Sequence, residues 1–199
     1  MRPEPSAIDS RAVLDAIKTR RVVRNFLPKP LSEDDIHQVL VAGRWAATGG
    51  NRRIHRFLVI RDPVKLRRVR SVAPGIYSDP AAIIVICIDH ELARGEYVQV
   101  DRDPVVLIDV GTAAQNMMLA AHALGIGSCP ATSFSRAGLA RVLGLPAIAV
   151  PEFVLELGWP AEQPNLSAVH PKARVRVEDL TYWEEWGNST ADDKQHGPS

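Results

Sequence analysis

Only two cysteines occur in the chain, Cys87 inside an apolar run and Cys129 in a glycine-bearing turn, with no CxxC or Cys/His ligand spacing. That excludes a disulfide framework and a structural zinc site, and it points to a reduced, cytoplasmic protein. An excess of one charge is missing too. Lys plus Arg number 24 against 23 Asp plus Glu, so nucleic acid held by bulk electrostatics is not expected. The basic stretch Lys65, Arg67, Arg68, Arg70 has no interleaved aromatic residue and reads as a solvated helix face. The longest apolar run, Ala81 to Ile88, is too short to cross a bilayer, and Met1 to Ser10 is polar and proline-bearing, so neither secretion nor membrane insertion is expected. Walker A, HExxH and GxSxG motifs are absent, and Gly125-Ile126-Gly127 lacks the third glycine of a dinucleotide fingerprint. The six histidines are scattered without metal-ligand spacing and read as structural or exposed. Redox or transfer chemistry would therefore need a bound organic cofactor.

What is present is enough apolar material for one domain. With 199 residues and 46% hydrophobic content, a single core needs no staple, and composition alone makes one α/β domain the default. No internal repeat or long linker divides it. Two basic clusters stand out: Arg20, Arg21 and Arg24 near the start, and Lys172, Arg174 and Arg176 near the end. They read either as two halves of one phosphate site, bound through charge-assisted hydrogen bonds, or as a helix-end complement and a solvated strand face.

Periodicity predicts the elements between them. A helix capped by Asp9 or Ser10 carries Val13, Leu14 and Ile17 on one face and delivers the first arginines. Leu27-Pro28-Lys29-Pro30 imposes an extended connector. Ser32, followed by Glu33, Asp34 and Asp35, starts a second helix expected to stop at Gly49-Gly50. Phe57 to Ile60 reads as a strand, a short helix follows through Val72, and Ala81 to Ile88 reads as a central strand buried on both faces. Asp109 to Leu124, crowded with alanine and Gly111, reads as a central helix in close contact with a partner. Gly125 to Pro130 reads as its stop, Ser135 to Gly144 as a capped helix, Phe153 to Gly158 as a strand, and Val177 to Trp186 as a last helix. Residues 187–199 are polar and expected to be disordered, which leaves residues 1–186 as one domain.

Several of these segments carry a family likeness. Arg20-Arg21-Val22-Val23-Arg24-Asn25-Phe26 resembles the RRSxRxF segment of the nitroreductase family of FMN-dependent oxidoreductases. Ala46-Ala47-Thr48-Gly49-Gly50-Asn51-Arg52-Arg53 is similar to that family's APSGGNRQ loop, Asp109 to Ala121 to its central helix, Gly125 to Phe134 to the loop over the flavin ring, and Pro171-Lys172-Ala173-Arg174 to its closing phosphate segment. The likeness runs from about residue 10 to about residue 180 in the family's order. It implies an α+β sandwich, a mostly antiparallel sheet flanked by helices, in an entwined homodimer with FMN at the subunit interface. It also implies that Arg20, Arg21, Arg24, Lys172 and Arg174 hold the phosphate, that Thr48 and Asn51 approach the ribityl or pyrimidine edge, and that Pro130, Ala131, Thr132 and Ser133 line the ring. The Thr132 N–H would face flavin N5.

The chain departs from that pattern at Val22, Ala47, Arg53 and His55, where serine, proline, glutamine and tryptophan are usual. Arg53 would then lie near the N1/O2 edge of the flavin and raise its potential, or face outward toward an acidic substrate or a nicotinamide phosphate. Tyr77 and Tyr97 are either covers for the ring or half-buried packing residues. The resemblance implies transfer of hydride from NAD(P)H to a nitroaromatic or quinone by ping-pong kinetics. Flavin cleavage, reductive dehalogenation and a non-catalytic flavin carrier are the alternatives.

Overall fold

A computed structural model of the chain describes residues 10–100, 103–162 and 175–187. The chain divides into two compact units, residues 1–164 and 165–199. In the first unit the framework is a four-stranded sheet in the order β1-β2-β4-β3, antiparallel at every pairing. The strands are β1 (His55–Ile60), β2 (Ala82–Asp89), β3 (Gly127–Ala131) and β4 (Ala149–Gly158). Helices are α1 (Ser10–Thr19), α2 (Glu33–Arg44), α3 (Pro63–Val72), α4 (His90–Gly95), α5 (Val105–Ala123) and α6 (Arg136–Leu143). An antiparallel sheet with helices on its faces is an α+β arrangement, so the α/β default drawn from composition gives way.

Strand β2 is apolar on both faces because both are covered. Ile84, Ile86 and Ile88 join the core shared with α2 and α5, whereas Ile83, Val85 and Cys87 join the core shared with α3 and α6. Pro151 is tolerated inside β4 where the pairing slips between Ile86 and Cys87, since a bulge removes the need for its missing N–H. Gly43 lets α2 approach α5: a Cβ there would lie 2.2 Å from the Met117 Cε. No helix among the described residues is long and apolar enough to cross a membrane.

Local signals decide which boundaries the residues announce. Ser32 Oγ accepts from the Asp35 N–H at 3.0 Å while the Asp35 carboxylate accepts from the Ser32 N–H, a complete capping box. Helix α2 stops at Arg44, five residues before the expected glycine pair, because Arg53 Nη1 donates to the carbonyls of Arg44 and Ala46. Gly49–Asn51 forms a separate 3-10 turn, with Gly50 and Asn51 left-handed. Helix α5 begins at Val105 instead of Asp109, and α4 follows β2 because Asp89 caps the N–H groups of Glu91 and Leu92.

Gly125, at φ 74°, ends α5 as expected, but the residues after it form edge strand β3. Pro130 fits there because only one side of an edge strand needs a donor. In the second unit, Val177–Leu180 is only a 3-10 turn. Thr181 is extended and Glu184 takes a left-handed conformation, so no helix continues to Trp186, which is exposed. The tail from residue 188 lies outside the described residues.

Candidate functional site

The segment after α1 lies along the outer edge of the sheet. Val22 bridges Ser128 of β3, Val23 N–H donates to the Ser128 carbonyl at 3.0 Å, and Leu27 N–H to that of Trp159 at 2.8 Å. Two glycines make room for it. A Cβ on Gly127 would stand 2.8 Å from Val23, and one on Gly158 would stand 2.8 Å from the Phe26 ring.

This placement gives the three arginines different surroundings. Arg21 Nη1 donates to the carbonyls of Lys18 and Arg20 at 2.7 and 3.0 Å, closing the C-terminal end of α1. Arg20 keeps its Nη1 buried without a hydrogen-bond partner among the described residues. Arg24 is exposed, and its charge offsets part of the rise that burial and Glu156 impose on the Cys129 thiol, whose pKa is pushed up to about 11. Beside Arg20 and Arg21 stands His122 of α5, its Nε2 2.9 Å from Thr19 Oγ1. From sequence His122 reads as structural or exposed, and its contact with Thr19 leaves no local signal because it joins residues 103 positions apart.

A second group forms at the other end of α5. Buried Asp109 accepts from the Gly49 N–H at 2.9 Å, Thr112 Oγ1 donates to the Ala47 carbonyl at 3.0 Å, and Asn116 Nδ2 to the Ala42 carbonyl at 3.3 Å. These bonds fasten residues 42–49 to α5. Within the held loop, Thr48 Oγ1 is buried with no hydrogen-bond partner among the described residues, and so is His55 Nδ1 on β1. Burial lowers the His55 pKa, Asp109 opposes the drop, and Arg53 and Arg56 add to it. Asn51 Oδ1 accepts from Arg53 Nη2 at 3.2 Å. Arg53 thus braces the end of α2 and Asn51 together.

Pro130 and Ala131 lie in β3, whose end passes into exposed Thr132 and Ser133. The Ser133 carbonyl accepts from the Gly75 N–H at 2.9 Å. Tyr77 and Tyr97 are 78% and 93% exposed, so neither is a half-buried packing residue. Lys172 and Arg174 lie outside the described residues. Arg176 pairs with Glu178 and Asp179 of its own turn.

The two arginine- and loop-based groups do not share a face of α5. Asp109 and His122 are 13 residues apart, about 20 Å along the axis and about 140° around it. Two cavities, of about 570 Å³ between α2 and β1 and about 410 Å³ beneath the 27–30 connector, touch neither group. Among the described residues, no cluster of three or more His, Cys, Asp or Glu could hold a metal ion.

The Nitroreductase family model matches residues 17–80 and 72–159. A relative from Methanothermobacter thermautotrophicus (strain Delta H), provisionally named an NADH dehydrogenase/NAD(P)H nitroreductase, is 30% identical over 174 residues, covering 83% of this chain and 86% of its own. A solved nitroreductase family protein from Clostridium difficile 630 superposes with a TM-score of 0.75 at 25% identity, covering 86% of this chain and 98% of that one. A provisionally named nitroreductase from Desulfovibrio desulfuricans, solved in complex with FMN, gives a TM-score of 0.73 at 29% identity, covering 87% and 97%.

Proposed function

Because this chain belongs to the nitroreductase family, we propose that it is an FMN-dependent enzyme that takes reducing equivalents from NAD(P)H and delivers them to a small aromatic acceptor, a nitroaromatic or a quinone. The observation that carries this reading is a pair of buried polar atoms with no hydrogen-bond partner among the described residues, Arg20 Nη1 and Thr48 Oγ1, one in each half of the site. A buried polar group left unpaired costs about 1–3 kcal/mol, so each half calls for a polar ligand. A phosphate suits the first half and a heteroaromatic edge suits the second.

In this reading Arg20, Arg21 and Arg24 hold the phosphate through charge-assisted hydrogen bonds; Lys172 and Arg174, which the family likeness assigns to the same role, lie outside the described residues. Thr48 and Asn51 meet the polar edge of the ring system. Asn51 has its carbonyl oxygen occupied by Arg53, which leaves its amide N–H groups to donate. Arg53 spends Nη1 on the end of α2, so it orients Asn51 and contributes charge instead of reaching outward. Pro130, Ala131, Thr132 and Ser133 line the ring, and the exposed Thr132 offers its N–H. Bound FMN supplies the hydride-accepting and electron-donating chemistry that no side chain here provides. The protein binds, orients and tunes. Donor and acceptor take turns in one pocket, hence ping-pong kinetics.

We also propose a homodimer whose second copy completes each site, because the two halves occupy nearly opposite faces of one helix. An apolar stripe of Leu107 and Ile108 runs on the His122 side of α5, 57% and 58% exposed, and Val13, Leu14 and Ile17 are about half exposed on α1. A twofold copy packed over Ile108, its helix antiparallel, sets the arginine-bearing end of one α5 level with the Thr48-bearing end of the other. Residues 1–186 act as one FMN-binding domain in this reading. Two unpaired, buried cysteines suit a reducing cytoplasm.

An absorption spectrum of the purified protein tests the proposal. A yellow protein that releases FMN on denaturation and bleaches with NADPH under argon is expected. A colourless protein that takes up no added FMN would end the reading. Initial rates with NADPH and a quinone should give parallel double-reciprocal lines, and intersecting lines would reject the shared pocket.

A further inference from the structure

Thr19 has one hydroxyl hydrogen, and its oxygen lies 2.6 Å from the carbonyl oxygen of Asp15, one turn back on α1. Two oxygens that close need the hydrogen between them, so the hydroxyl is spent as a donor. The same oxygen lies 2.9 Å from His122 Nε2. With no hydrogen left to give, Thr19 accepts there, and Nε2 carries the proton. The tautomer follows: Nδ1 is the position that gains a second proton.

The charges acting on this ring are of one sign. After burial, Arg20 and Arg21 push the His122 pKa below its ordinary 6.5. From α1, Asp15 offers its carbonyl through Thr19, and the approach to β3, Gly125 to Ser128, carries no ionisable side chain. Arg20 Nη1 is buried beside no acceptor. A neutral histidine tied to α1 stands beside two guanidinium groups, one of which, that of Arg20, has a buried donor with no hydrogen-bond partner among the described residues.

We propose that His122 belongs to the phosphate-binding cluster and takes up a proton at Nδ1 when a phosphate monoester dianion binds beside Arg20 and Arg21. The proposal rests on the FMN reading above and adds to it a residue and a pH dependence. A dianion reverses the sign of the local field, so the charged imidazole becomes the favoured form. Between the lowered pKa of the free protein and the raised pKa of the complex, binding is coupled to proton uptake. Affinity for the dianion therefore falls as pH rises through that window, by up to about tenfold per pH unit. The second ionisation of the phosphate itself, near about pH 6, acts the other way by supplying more dianion as pH rises. The two effects separate when the histidine is replaced.

The test titrates FMN, and separately riboflavin, into the full-length protein freed of flavin, followed by flavin fluorescence from about pH 5.5 to about pH 8.5. FMN affinity should decline with pH more steeply in the wild type than in His122→Asn, while riboflavin, which has no phosphate, gives the same slope in both. Imidazole NMR on the wild type, which needs no variant to fold, should show the His122 pKa rising when FMN is added. Equal FMN slopes in the two proteins, or a His122 pKa that FMN leaves unmoved or lowers, overturn the proposal and leave the FMN reading standing. A wild-type protein that binds neither flavin at any pH overturns both.

Discussion

Glu156 is 1% exposed in the middle of β4, where it receives hydrogen bonds from Ser78 and the Cys129 thiol and, among the described residues, has no ion-pair partner. Burial raises its pKa above 4.5, and the bonds from Ser78 and Cys129, with Arg24 and Arg70 farther off, offset only part of the rise. The native state therefore holds the proton after the unfolded chain has released it. Its stabilising contribution is complete below pH 4.5 and is lost as pH rises through the folded value. Glu156→Gln keeps the shape and removes the titration. Its urea-unfolding free energy should change less than the wild type's between pH 5 and pH 8, with the variant gaining relative stability at the higher pH. Equal changes in both proteins would show that Glu156 is already ionised without penalty. Single residues of this kind are hard to read from sequence. A lone Glu in the apolar run Phe153 to Leu157 looks like an outward-facing position until α3, α6 and the segment at Ser78 cover that face. The opposite case is Ser32, whose cap needs only residues three positions away and is legible at once.

At the level of elements the same distinction holds. Helices α2, α3 and α6 announce their starts through Ser32, Asp62 and Ser135, each accepting an N–H three residues on. The end of α2 is not announced, because its carbonyls are closed by Arg53 from beyond the turn. Strand β3 is hidden as well: five residues with one glycine and one proline lack strand composition, and only pairing with β4 makes them a strand. The arginine segment is legible as a motif, but the glycines that seat it are not. Gly158→Ala should force the segment outward, since its Cβ would meet Phe26 Cδ1, Cγ and Cβ at 2.8 to 3.0 Å and the stem of the ring cannot swing aside. Overpacking of this sort costs about 1–3 kcal/mol. Urea denaturation should show that loss, and a fluorescence titration should show weaker FMN binding. Gly95→Ala, with nothing within 4 Å of the new methyl, is the control. Equal FMN affinity in the two variants would mean that the segment's position on the sheet edge does not set the phosphate site.

For the whole molecule, the proposal requires that two groups of residues on one helix become one site. Arg20 and His122 mark the C-terminal end of α5, and Thr48 and Asp109 mark its N-terminal end and a different face. One ligand cannot contact both groups of a single chain without wrapping around the helix. If a second copy supplies the missing half, lesions in different halves should complement each other. Arg20→Ala and Asn51→Ala proteins should each bind FMN poorly when pure. A heterodimer of the two contains one site built from the intact arginines of the second variant and the intact loop of the first, and one site damaged twice. After unfolding and refolding an equimolar mixture, about a quarter of all sites should recover, since about half the dimers are mixed and each has one good site. FMN bound per chain, read by absorbance after gel filtration, measures this directly. Ile108→Asp, which places a charge on the exposed stripe, should give monomers and abolish the recovery. No recovery from the mixture, with the refolded proteins still dimeric, would show that each chain builds its own complete site and would remove the proposed exchange of halves between copies.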